Sequence, residues 1–398
     1  MIKGLRVVGF KKLHDVTAEF EPFNVLIGPN GVGKSSMLQA IDFLHGLVSS
    51  SIEAHLKDQP YNYDDLPSLN QRNKLMSWLV MLDLPRTAIG QDMRAAYFVE
   101  VGRKRYPYVS WEGLHKETSQ DPHKQELLFV RKGRRSRILN RRTGKDDPLA
   151  TARLPASILS QLEDDQAYPE AVRVRDFFLG IRSYLLWDAK TLRKPSDAVN
   201  APLGRDGQNL ASFLKMLQLK HPQQWSMLVR TVRSFVPILR DIRILGPERG
   251  YKSIEVVEAG ARRNYVYNHN QISDGILRVL AIASLRFMPD PPTVICLEEP
   301  ENGVHPQLLG NLIGLLKQLT KRKDSPTQVF IATHSPYVLD HFVEEPECVQ
   351  VMESNGGDKG ARLTKLSTRK DLRLARRTLS KSLGELWYSG ILGGGAKD

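Results

Sequence analysis

At 398 residues, 41% hydrophobic and 25% charged, the chain is large enough for two domains or one heavily inserted one. Its net charge is +13, and its two cysteines, Cys296 and Cys348, exclude a disulfide framework and a cysteine-rich metal site. No apolar run approaches the ~18–20 residues of a membrane helix. Residues 2–10 read as a strand rather than a signal peptide, so a cytosolic protein without membrane contact is expected.

Residues 1–28 read as three short strands. The third, residues 23–27, runs into Gly28-Pro29-Asn30-Gly31-Val32-Gly33-Lys34-Ser35, and residues 36–44 read as a helix. This is G-x-x-x-x-G-K-[ST] in the strand–loop–helix setting that phosphate binding requires. Glycines let backbone N–H groups turn inward around phosphate oxygens, and the helix N-terminus adds positive potential. Lys34 would reach the β- and γ-phosphates and Ser35 would hold Mg²⁺. Contacts to the nucleotide are expected from Asn30, Gly31, Val32, Gly33, Lys34, Ser35 and Ser36.

A polar loop follows around residues 59–67, where Asp64 and Asp65 read as solvated acids rather than metal ligands. From Met76 the period becomes two, with strands expected at 76–84, 94–101, 105–111, 126–132 and 136–140. Positions 131–145 hold eight basic residues and no acid, with Gly133 in a hairpin turn. A second basic cluster runs from Lys359 to Lys381, opposed only by Asp371. Such patches attract polyphosphate backbones, but a solvated face or an acidic partner protein is also served by them. The candidate nucleic-acid contacts are Arg131, Lys132, Arg134, Arg135, Arg137, Arg141 and Arg142.

Residues 155–180 and 207–236 look helical around a strand at 182–187, and strands follow near 241–245, 253–258 and 264–267. Helix 274–288, strand 293–297, helix 306–319 and strand 328–333 then alternate. The expected fold is α/β: a split P-loop core with a β-rich and helical insertion. Its expected parts are 1–75, carrying the P-loop, an insertion over 76–265, and a second core half over 266–398.

Three features of the last part bear on chemistry. The strand ending at Leu297 gives way to Glu298 and Glu299. In P-loop enzymes one acid here holds Mg²⁺ and the next polarises water, although paired acids also end strands with no function. A second apolar strand ends in Thr333-His334-Ser335-Pro336, where the histidine could meet the γ-phosphate or simply stabilise a turn. Ser273-Asp274-Gly275 opens a helix and is either an anion site or a cap.

Their order resembles that of an ABC-class ATPase of the SMC/RecF/OLD branch, in the group of stand-alone bacterial ATPases. Residues 272–278 resemble a degenerate signature motif, and Leu297-Glu298-Glu299-Pro300-Glu301-Asn302-Gly303-Val304-His305-Pro306 resembles Walker B plus D-loop. Residues 203–210 and 383–387 also look like segments of this group, whereas residues 85–150 carry little of the likeness. The resemblance implies an ATP-dependent homodimer or higher even oligomer. Two ATPs would be sandwiched between one P-loop and Ser273, Asp274 and Gly275 of the other copy. Mg²⁺ would lie on Ser35 and Glu298, Glu299 would be the general base, and His334 would sense the γ-phosphate. His305 falls in the D-loop. Gln91 and Gln208 are candidates for the Q-loop glutamine, and Phe10, Lys11 and Lys12 for an adenine contact. The signature lacks its usual double glycine, and Glu298 replaces the commoner aspartate, which suits slow hydrolysis.

No long heptads appear for SMC-type arms, and no Toprim, His-Asn-His or zinc nuclease pattern is visible, so a nuclease or toxin would be a separate chain. The leading expectation is an ATPase that couples dimerisation to DNA binding or to control of such an effector, in anti-phage defence or DNA repair. The alternative is an ATP-stabilised scaffold that sequesters a toxic partner with little hydrolysis. The basic surface and degenerate signature argue against a transporter subunit.

Overall fold

A computed structural model describes residues 1–57, 59, 61–69, 74–85, 91–103, 105–118, 121–133, 135–148, 155–322, 325–356, 360–369 and 382–391. The chain forms two compact units, one of Met1–Ile181, Glu345–Ser380 and Ser389–Asp398, the other of Arg182–Glu344 and Lys381–Tyr388. No helix among the described residues is long and apolar enough to cross a membrane.

The first unit is organised by an antiparallel sheet. Its strands are β1 (Ile2–Phe10), β2 (Leu13–Glu19), β4 (Met76–Leu84), β5 (Met93–Arg103), β6 (Pro107–Thr118), β7 (Asp121–Lys132), β8 (Arg135–Asn140) and β9 (Lys145–Pro148). They lie in the order β2-β1-β4-β5-β6-β7-β8-β9. The alternation along β4 sends Trp78, Val80 and Leu82 into the core. There Trp78 stacks on Phe43 with ring centroids 5.0 Å apart, and Phe10 meets the indole edge-on. Its indole N–H donates to the Ala40 carbonyl at 3.0 Å, so the burial leaves no polar atom unpaired.

Phe43 and Ala40 belong to helix α1 (Lys34–Ser49), which follows the buried strand β3 (Phe23–Ile27) through the P-loop. Helices α2 (Ile52–Lys57) and α3 (Pro169–Leu179) complete this side. Strand β16 (Val349–Ser354) runs parallel to β3, pairing Val349 with Val25 and Val351 with Ile27, and β17 (Ala361–Lys365) pairs antiparallel with β16.

This arrangement divides the chain differently from the expected 1–75, 76–265 and 266–398. Strand β4 hydrogen-bonds along β1, with Val7 opposite Trp78, so the strands after Met76 extend the N-terminal sheet instead of forming a separate lobe. The C-terminal strands return to the P-loop strand, β16 pairing in parallel with the fully buried β3.

The second unit opens with β10 (Ile181–Tyr184), α4 (Ala189–Leu192), α5 (Leu210–Lys220) and α6 (Pro222–Phe235). Strands β11 (Leu239–Leu245), β12 (Ser253–Ala259) and β13 (Asn264–Tyr267) form a small antiparallel sheet. Helix α7 (Asp274–Arg286) leads to β14 (Val294–Glu298), α8 (Leu309–Leu319) and β15 (Gln328–Thr333). Strands β14 and β15 pair in parallel, Glu298 opposite Ala332, and this register brings their C-terminal ends together. The short helices α9 (Pro336–Leu339) and α10 (Leu383–Tyr388) pack where Gly384 donates its N–H to Asp340 at 2.8 Å. A Cβ on Gly384 would lie 2.5 Å from the Pro336 carbonyl oxygen, which explains the glycine in that segment.

Candidate active site

The P-loop lies wholly in the first unit. Gly31 and Gly33 have φ of 73° and 116°, the left-handed region that favours glycine and turns successive N–H groups the same way. At Gly28 a Cβ would stand 2.4 Å from the Met352 carbonyl oxygen, so the loop can pass β16 only as glycine. The Lys34 ammonium donates to the carbonyls of Gly28 and Pro29 at 2.7 and 2.9 Å. Asn30, Gly31 and Ser35 are exposed, while Val32, Gly33, Lys34 and Ser36 are buried. No side chain caps α1 and its first turn holds no acid, which leaves the helix N-terminus available to an anion.

Glu298, Glu299 and His334 lie wholly in the second unit. Glu299 follows β14 at φ 45°, an uncommon conformation for a non-glycine residue and one met at functional sites. Its N–H donates to Ala332 at 2.8 Å, so the turn is tied to the end of β15. One carboxylate oxygen lies 2.8 Å from Nδ1 of His334; the other accepts from the Asn302 side-chain amide at 2.6 Å. Both side chains keep solvent contact, His334 at 50% exposure and Glu299 at 35%. A carboxylate oriented this way can accept a proton from water, and the imidazole beside it can carry charge. Glu301, two residues on, accepts from the Thr333 hydroxyl. Burial pushes the Glu301 carboxyl above its ordinary range; the Thr333 hydrogen bond opposes this, and the nearby Glu299 charge adds to it.

Ser273 and Asp274 are exposed at the start of α7. Ser273 Oγ accepts from Ile276 N–H at 3.4 Å, so the serine does cap the helix. Arg193 braces the approach, donating to the Asn270 carbonyl at 2.8 Å and pairing with Asp274. His305, in contrast, spends Nδ1 on the N–H of Gln307 and acts as a turn cap.

The donors expected for magnesium are an exposed hydroxyl, Ser35, and a carboxylate at a strand end, Glu298. Hard oxygen ligands of this kind fit Mg²⁺. The glycine cradle likewise fits a phosphate chain, since it presents backbone N–H groups where a Cβ would intrude.

Several expectations need correction. Phe10 is fully buried against Trp78 and Phe43, so it cannot contact adenine. Lys11 is committed to Gln39 at 2.7 Å and lies over the Tyr61 ring, whereas Lys12 is exposed. A Cβ on Gly33 would stand 3.2 Å from that of Lys12, which puts Lys12 beside the loop. Gln208 folds back onto the Asp206 N–H, and the Gln91 carbonyl accepts from Arg173.

The basic run also divides. Arg131 is fully buried, bonded to the Val109 carbonyl at 2.6 Å and facing Glu112, so it is no nucleic-acid contact. Burial raises the Glu112 carboxyl, which also receives the Ile158 N–H and the Ser157 hydroxyl. Arg141 is held by Glu126 at 2.8 Å and Glu170 at 2.6 Å, Arg142 by Asp164, and Arg137 by Asp146. Lys132 and Arg135 are exposed and, among the described residues, pair with no carboxylate. They lie in register with each other and with Trp111, whose 43%-exposed ring sits 4.5 Å from that of Phe98. In the second cluster Lys365 pairs with Glu21 and Arg369 with Glu353. Arg134, Lys359, Lys370, Arg373, Arg376, Arg377 and Lys381 lie outside the described residues.

Sequence reasoning missed Asn302, Thr333 and the β16 strand. Asn302 was readable as the amide three residues after Glu299 in a turn, and β16 as the apolar alternation Val349-Gln350-Val351-Met352. Nothing local announced that Thr333 faces Glu301.

A solved SMC head bound to the C-terminal winged-helix domain of ScpA has the same fold, with a TM-score of 0.53 at 16% identity. It covers 91% of this chain and 97% of its own. An OLD nuclease of Thermus scotoductus is 37% identical over 65 residues, 16% of this chain and 12% of that protein. Structural maintenance of chromosomes protein 1 of Arabidopsis thaliana is 39% identical over 64 residues, 15% of this chain and 5% of that one. The chain thus spans about an eighth or less of these curated relatives. Fold and P-loop together define an AAA-domain ATPase whose fold is that of an SMC head. Within that class the chain belongs to the family described as "AAA domain, putative AbiEii toxin, Type IV TA system", which matches residues 23–340.

Proposed function

We propose that this ATPase works as a clamp: two copies close around two ATP molecules, hydrolysis reopens them, and the cycle controls nucleic acid or a separate effector protein. The observation that carries the hydrolytic reading is Glu299, held by His334 and Asn302 at a left-handed backbone position. In this reading Lys34 and the loop N–H groups from Asn30 to Ser36 bind the triphosphate. Ser35 and Glu298 hold Mg²⁺, which supplies charge neutralisation at the phosphates. Glu299 takes a proton from the attacking water, and His334 contacts the γ-phosphate. Ser273, Asp274 and Gly275 engage the ATP of the second copy. The exposure of Ser273 and Asp274 at a helix start, with Gly275 half-buried beside them, supports that role.

Lys132 and Arg135 beside Trp111 form the face best suited to a polyanion. Membership of a family described as a putative toxin of a type IV toxin–antitoxin system supports a defence role, alongside the separate effector proposed above. Native pull-down with and without ATP would identify that partner.

The test is Glu299→Gln. With ATP it should accumulate as a dimer in light scattering, while Lys34→Ala remains unresponsive. A Glu299→Gln protein that stays monomeric with saturating ATP refutes the sandwich; the nucleotide-free sample shows whether a dimer preexists.

A further inference from the structure

Glu299 and His334 sit on two different turns, one after β14 and one after β15, yet their contact is 2.8 Å. Something must hold the second turn on the first. Thr333, fully buried, stands immediately before His334. Its hydroxyl donates to the Glu301 carboxylate, and the same oxygen accepts the Ser335 N–H at 2.9 Å. The residues on both sides of His334 are therefore fixed by one hydroxyl. The other Glu301 oxygen is buried and has no hydrogen-bond partner among the described residues, so Thr333 is the side chain that satisfies this carboxyl.

We propose that Thr333 and Glu301 are a positioning pair that sets the Glu299–His334 geometry for hydrolysis without contributing to nucleotide affinity. This rests on Glu299 and His334 acting as proposed above. Two cross-links then join the same two turns. The backbone bond from Glu299 to Ala332 fixes the strand ends, at 2.8 Å. The Thr333–Glu301 bond fixes the rotation of the turn that presents the imidazole. Removing the hydroxyl loses both of its bonds and strands a buried carboxyl, while the Glu299 and His334 side chains remain present. Misplacement by about 1 Å at a reacting group costs on the order of a hundredfold in rate.

The experiment compares ATPase kinetics and ATP binding for wild type, Thr333→Val, Thr333→Ser, Glu301→Gln and Glu299→Gln. Thr333→Val keeps the shape and loses the hydroxyl; kcat should fall ~10- to 100-fold, with the ATP dissociation constant within about twofold of wild type. Thr333→Ser should restore kcat to within about threefold, because it restores both bonds. Wild-type kcat in Thr333→Val overturns the proposal, as does an equal loss of binding and turnover or a failure of serine to rescue. If the valine variant does not fold, Glu301→Gln carries the test with the same split between kcat and binding expected. Wild-type turnover in Glu299→Gln would instead refute the role of Glu299, a separate outcome.

Discussion

Gly303 and Arg278 share one volume. A Cβ on Gly303 would begin 1.6 Å from Arg278 Nη1, and the glycine sits at φ 72°. Arg278 uses this space to donate to the Asn302 carbonyl at 3.2 Å and, through Nε, to the Trp187 carbonyl at 2.9 Å. The guanidinium on α7 therefore holds the backbone of the residue whose amide orients Glu299. Gly275 adds to the junction: a Cβ there would stand 3.2 Å from the Gly303 carbonyl oxygen.

Gly303→Ala should cost about 1–3 kcal/mol in stability, from left-handed strain and the displaced arginine together. It should also slow hydrolysis, since Asn302 loses its support. In an Arg278→Ala background the steric part disappears and only about 1 kcal/mol of strain should remain. Urea unfolding of the two single variants and the double variant measures this. Full additivity would mean that the two residues do not compete for the space.

Gly28→Ala tests the P-loop. The nearest atom to its Cβ would be a backbone carbonyl on β16, which cannot rotate away. Either β16 parts from β3 or the P-loop deforms. The expected result is lost ATP binding with a stability loss of about 1–3 kcal/mol. Lys34→Ala should lose ATP binding as well, and because its buried ammonium donates to the Gly28 and Pro29 carbonyls it should also lower stability, by about 1–2 kcal/mol. Normal ATP binding in Gly28→Ala would mean that the loop can take another path.

The parts of the site that were legible in sequence are those carried by contiguous residues. Gly28 to Ser35 follows a largely apolar strand, Glu298 and Glu299 end a second and His334 follows a third, so motif and element announced one another. What was not legible depends on pairing between distant segments. Met352 explains Gly28 only once β16 lies along β3. Arg131 looked like one more cation in a charged run, yet it shares the parity of buried Phe129 on β7, and its partner Glu112 lies on another strand. Charge density hid the alternation. The domain boundary failed similarly: a change of period at Met76 marks new strands but not which sheet they join.

The division of the basic run yields a final contrast between stability and binding. Arg141 bridges Glu126 and Glu170, and Lys116 adds a contact to Glu170 at 3.1 Å. Burial alone would raise the Glu170 carboxyl, but the bonds from Arg141 and Lys116 prevail and hold it low; the bond from Arg141 holds Glu126 low as well. Carboxylates with lowered folded values stabilise the protein above the ordinary glutamate range, about pH 4.3, and lose that contribution as pH falls through the folded values. Arg141→Ala should therefore lower stability by about 1–2 kcal/mol at pH 7, with the gap to wild type narrowing below about pH 4. Its affinity for nucleic acid should be unchanged. Lys132→Ala with Arg135→Ala should do the reverse. Both side chains are exposed and without a carboxylate partner among the described residues, so unfolding should barely move. The slope of log affinity for duplex DNA against log salt should shrink by about 1.8, two phosphate contacts at ~0.9 each. Fluorescence anisotropy across a salt series measures that slope. An unchanged slope would remove this face as a polyanion contact, while a slope that also fell in Arg141→Ala would mean that the ion-paired arginine joins it.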